Sequence, residues 1–159
     1  MLHARCKGFT LIELLVTLAI LGLLASMAMP MLSTLQREHK ENELRQDLRI
    51  IRTAIDAYKS AVDEGRIAHS VASSGYPPNL DVLWLGVPDL SRPDHGKIYF
   101  LRRLPRDPFY PDQSAPADQT WGLRCYESPP DDPEPGADVY DVHSLSPQTG
   151  LNGIPYRDW

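Results

Sequence analysis

The sequence predicts an α+β chain in which one long N-terminal helix leads into a small antiparallel β-sheet head. Three features carry that expectation. Leu14 to Met29 is an uncharged run in which only Thr17 and Ser26 are polar. Leu44, Leu48, Ile51, Ile55, Tyr58 and Val62 then recur at spacings of 4, 3, 4, 3 and 4, which is one apolar helical stripe. All but one of the 15 prolines follow residue 76, which excludes an all-helical chain and points to a loop-rich second half. With 159 residues there is room for one modest domain plus an extra element. A formal charge of -5 argues against a nucleic-acid partner held by a basic surface. Cys6 and Cys125 allow at most one bridge, so a disulfide scaffold is excluded.

The N-terminal element comes first. Between Phe9 and Leu32 the one charged residue is Glu13, and a run of that length matches the roughly 20 apolar residues that cross a bilayer core. A core helix apolar on all faces has too little chain here to surround it. Two readings stay open on the residues alone. Arg5 and Lys7 before the run, with Ser26-Met27-Ala28 as a cleavage site, fit a secretory signal peptide. A retained membrane helix fits as well. Glu13 bears on the choice, because a charge at the centre of an inserted helix costs about 2.5–3.5 kcal/mol and such residues usually have a partner. The next cationic side chain is Arg37, so the partner must come from elsewhere.

Lys7-Gly8-Phe9-Thr10-Leu11-Ile12-Glu13-Leu14-Leu15-Val16 closely resembles the processing signal of the type IV pilin and type II secretion pseudopilin family. The resemblance implies a pilin-like fold, cutting by a prepilin peptidase between Gly8 and Phe9, and N-methylation of Phe9. Residues 1–8 are then a cytoplasmic leader, and Cys6 leaves with it. Glu13 becomes the fifth mature residue, paired in the family with the terminal amine of a neighbouring subunit. In low dielectric a paired charge is far less penalised than a lone one. Gly22 and Pro30 interrupt the run where a helix can soften, and in the family this segment loosens during assembly. Residues 9–32 are expected to form a transmembrane or filament-core helix. Basic residues lie on both sides of it, so the outward placement of the head rests on the resemblance.

Residues 33–65 carry the amphipathic upper half of the helix, with Gly65 as a stop signal. From Thr10 to Asp63 that helix would run roughly 80 Å at 1.5 Å per residue. Residues 66–159 form the periplasmic head. Leu80 to Val87 is expected as a short helix or turn, and Lys97 to Leu104 as a strand or ordered turn. Leu104-Pro105-Arg106-Asp107-Pro108-Phe109 resembles a segment of major pseudopilins. Thr120–Ser128 and Asp138–Leu145 are strand candidates joined by the proline-rich loop 129–136. Cys125, inside the first of them, is expected as a buried thiol. Trp84, Trp121 and Trp159 read as core or interface anchors.

Major pseudopilins carry a calcium loop after the last strand. The stretch Ser144-Leu145-Ser146-Pro147-Gln148-Thr149-Gly150 lacks its aspartate, so no metal site of that kind is expected, with Asp138 and Asp141 as the only fallback ligands. The five histidines are scattered and no catalytic motif is present, so the chain is not expected to be an enzyme. The leading function is a structural subunit of a type II secretion pseudopilus, held in the bacterial inner membrane by a single pass. Its expected partners are copies of itself, other pseudopilins, the prepilin peptidase and the inner-membrane assembly platform. A minor type IV pilin is the alternative, followed by an exported periplasmic binding domain cut after Ala28.

Overall fold

The computed structural model describes residues 9–70, 73–93 and 96–159, with only the helical backbone over 27–31. The chain divides into two compact units, Met1–His39 and Lys40–Trp159. In the first, helix α1 (Leu11–Asp63) begins and continues through Gly22 and the backbone of Pro30. Within this first unit the described apolar side chains of α1 are all exposed, from Leu11 at 78% to Leu24 at 59%. Among the described residues no helix is long and apolar enough to cross a membrane. The described side chains of the apolar stretch stop at Ser26, and 27–31 of the expected 9–32 span lie outside them.

In the second unit the stripe read from the sequence is the centre of the core. Leu44, Leu48, Ile51, Ile55, Tyr58 and Val62 are all buried, and Ala54 and Ala61 fill the gaps between them. Burial of each large stripe residue is worth about 1.5–3 kcal/mol. The helix ends where expected. Gly65 has φ +73°, its N–H reaches the Val62 carbonyl at 2.9 Å and the Arg66 N–H reaches Ala61 at 2.9 Å. This bond pair is the Schellman arrangement, which favours glycine at the left-handed position.

Beyond it the head is assembled from short pieces. Helix α2 (Asp81–Leu85) buries Leu83, and Leu80 beside it is also buried. Trp84 points the other way, with its indole N–H donated to Asp81 at 3.0 Å and 38% of its surface exposed. Strands β1 (Val87–Pro88) and β2 (Lys97–Ile98) pair antiparallel. Of the strand or ordered turn expected over 97–104, the strand covers Lys97–Ile98, and beyond Tyr99 the amides of Phe100 and Leu101 bond to the Leu83 carbonyl instead. Strands β3 (Trp121–Arg124) and β4 (Asp141–Ser144) form a second antiparallel pair, with Trp121 opposite Ser144. Among the described residues the head therefore holds two two-stranded sheets. Cys125 differs from expectation: it lies just past β3 and is half-buried, since its N–H turns away to the Glu134 carbonyl at 2.9 Å.

Asp107 explains the Leu104–Phe109 string. It is buried, its carboxylate accepts from the Phe109 N–H at 2.7 Å and the Ser144 hydroxyl at 2.5 Å, and its own N–H donates to Thr120 Oγ1 at 3.2 Å. One side chain thus ties the turn to β4. Burial still pushes the Asp107 carboxyl up from the ordinary aspartate range, against those bonds. Asp89 is the opposite case. The Arg66 guanidinium at 2.8 Å and Ser91 hold its carboxyl well below that range.

Asp47 on α1 is raised from 3.8 to about 6, first by partial burial, then by Glu43 and Asp107, with Arg103 opposing. The folded chain therefore holds a proton there that the unfolded chain has lost between about pH 4 and 6, so stability falls as pH rises through that window. Asp47→Asn should raise the melting temperature of the full chain at pH 7.5 and lose that advantage at pH 4. Thermal melts at both pH values read it, and an equal shift at the two would contradict the assignment.

Candidate functional site

The first candidate site is the start of α1. Thr10 stands just before the helix and Glu13 three residues on. The Glu13 N–H donates to Thr10 Oγ1 at 3.3 Å, and the Thr10 N–H donates to Glu13 Oε2 at 3.5 Å. This reciprocal pair is a capping box, which satisfies two backbone donors that a helix start leaves open. It also places a carboxylate at the positive end of the helix dipole. The Thr-x-x-Glu pattern was present in the sequence and was the signal for it.

Glu13 is therefore not a stray charge. Its side chain remains exposed, as does Phe9 at 81%. Gly8, on the expected cleavage bond, lies with residues 1–7 outside the described residues. Further along, the two polar side chains of the run turn inward on the backbone. Thr17 Oγ1 donates to the Leu14 carbonyl at 2.9 Å and Ser26 Oγ to Leu23 at 2.8 Å. Apart from Glu13, the described surface from Leu11 to Ser26 thus offers apolar groups to whatever covers it. Gly22 has no non-neighbouring atom within 4 Å of where a side chain would begin, so packing does not require its small size. The side chain of Pro30 lies outside the described residues.

The fallback metal ligands are engaged otherwise. Asp138 accepts the Tyr126 N–H at 2.8 Å and the Ser74 hydroxyl. Asp141 accepts from Arg52 Nε at 2.7 Å and faces Arg124 at 3.6 Å. The main-chain carbonyl of Gln148 accepts the Tyr156 N–H at 3.1 Å. Among the described residues no group of three or more His, Cys, Asp or Glu is arranged to hold a metal ion. His143 sits opposite Gly122 on the β3–β4 pair, and burial pushes its imidazole below the ordinary range. A side chain at Gly122 would begin 2.1 Å from that ring, so the close approach needs glycine.

Residues 3–29 match the family described as prokaryotic N-terminal methylation motif. The chain is 32% identical over 109 residues to type II secretion system core protein G of Klebsiella pneumoniae, covering 66% of this chain and 70% of that protein. It is 29% identical over 112 residues to the protein of the same name from Dickeya chrysanthemi, covering 68% and 66%. The type IV major pilin protein of Myxococcus xanthus is 39% identical over 61 residues, covering 38% of this chain and 28% of the pilin. No solved structure matches the chain.

The capping box has a direct test. Thr10→Ala removes a cap worth about 1 kcal/mol. In the detergent-solubilised full chain, amide exchange at Glu13 should speed up about fivefold, the factor that energy gives. Unchanged exchange would show that the box does not hold the helix start.

Proposed function

This chain belongs to the family of type II secretion system core protein G, and we propose that it is a non-enzymatic structural subunit of a pseudopilus, polymerising through its N-terminal helix. The observation that carries the proposal is the exposed apolar surface of α1 with one capped carboxylate at its start. Surface of that size and uniformity needs lipid or other helices around it.

In this reading prepilin peptidase cuts between Gly8 and Phe9, and Phe9 is then N-methylated. Cleavage creates a cationic amine four residues before Glu13. The Glu13 carboxylate spends one long bond on its own helix and keeps lone pairs for a second donor. The amine of a neighbouring subunit supplies that donor, and the pair sets the axial offset between subunits. Burying either charge alone is the costly alternative, so misregistered packing is disfavoured. Gly22 and Pro30 let the helix soften as subunits leave the membrane.

The protein is membrane-anchored and faces the periplasm. More finely, residues 1–8 are the leader, 9–32 make a single pass through the inner membrane, 33–65 continue the helix and 66–159 form the head. Copies of itself and other pseudopilins are the filament partners, and the prepilin peptidase and inner-membrane platform act before assembly. An ATPase elsewhere does the work. A minor type IV pilin is not favoured, because the pilin match covers 38% of this chain against 66% for core protein G.

Glu13→Val separates assembly from insertion. The variant should be retained in the membrane at least as well as the parent, and its yield in sheared filaments should fall tenfold or more. Immunoblots of membrane and shear fractions read both. Incorporation at the parental level would overturn the register role.

A further inference from the structure

The resemblance implies a calcium loop after the last strand, and the residues of this chain do not fit one. Calcium takes 6–8 oxygen ligands with carboxylates among them, and the loop from Ser144 to Gly150 has none. Three oxygens nearby already accept hydrogen bonds. Arg52 on α1 gathers them: its Nε reaches Asp141 at 2.7 Å, and its Nη2 reaches the carbonyls of Val142 at 3.1 Å and Trp159 at 2.8 Å. A carboxylate and two main-chain carbonyls are what a hard cation would collect. Here a guanidinium collects them, and it would repel a cation brought to the same place.

The other half of the arrangement is a carboxylate. Glu41 on α1 is buried at 2% exposure. It accepts the Leu151 N–H at 2.8 Å and the Tyr156 hydroxyl at 2.9 Å, with Arg45 at 3.7 Å. Tyr156 is fully buried and stacks on Phe109 at 4.2 Å between ring centres. Trp159 meets Tyr156 edge-on at 4.9 Å and carries the Arg45 guanidinium over its ring at 4.1 Å. A buried carboxylate is tolerated only with such donors, so the loop and the helix hold each other.

We propose that Glu41, Arg45 and Arg52 form a metal-independent clamp that fastens residues 147–159 to α1, in the place where the resemblance implies calcium. The clamp needs no filament, so its failure is separate from failure of the assembly reading.

The test uses the purified full chain in detergent. Adding about 5 mM calcium, above the millimolar range of weak sites, or replacing it with a chelator should move the melting temperature by less than about 1 °C. A rise of several degrees with calcium would overturn the proposal. Glu41→Ala should speed amide exchange across 148–159 at least tenfold while α2 keeps its protection. Should that variant unfold throughout, Tyr156→Phe carries the same test, with exchange at Leu151 rising several-fold. Exchange at the parental rate in the folded variant would equally overturn the clamp.

Discussion

A helix that presents apolar side chains around its whole circumference has no stable place in water. From Leu11 to Leu24 the described residues of α1 do this, apart from the carboxylate of Glu13. Water must be excluded from that surface by lipid tails or by like helices. Both covers are apolar, so the hydrophobic effect alone does not choose between them. What differs is the treatment of charge. A bilayer offers nothing specific to a carboxylate within its core, whereas in the proposed filament a neighbouring subunit would bring an amine. On that proposal Glu13 is the group that would distinguish the two environments that the apolar surface treats alike.

The same helix changes character further along. Beyond Lys40 its stripe is buried under irregular chain, and little of that chain is regular sheet. Buried carboxylates give the head its definition. Asp89 is held by Arg66, Asp107 by Ser144 and the Phe109 amide, and Glu41 by Leu151 and Tyr156. Each accepts a backbone N–H or hydroxyl from a loop, or pairs with an arginine beside it. The arrangement suits a proline-rich chain, because proline removes the amides that longer ladders would need.

Legibility of this molecule in its sequence follows the range of each interaction. The helix, its stripe and its glycine stop were legible because their periodicity and end signals are local. The two strands around the 129–136 loop were legible from alternation and turn residues, though not their short length, which Cys125 and its bond to Glu134 help set. The Thr10–Glu13 box is also local, and its Thr-x-x-Glu spacing is legible in the sequence beside the charge that Glu13 places in the apolar run. Glu41 and Arg52 could not be read. Their partners lie 110 and 107 residues away in the chain, and no spacing rule connects a helix side chain to a loop that distant. Asp138 and Asp141 were considered as ligands for want of their true partners, Ser74 and Arg52.

The central claim is that the apolar helix stays on the working protein and begins at a charged, freshly made end. Intact-mass and N-terminal peptide mass spectrometry of the protein from its native membrane decides it most directly. The account predicts a chain starting at Phe9 and carrying one methyl group on its amine. A chain starting at Met29, with the apolar segment gone, would contradict it.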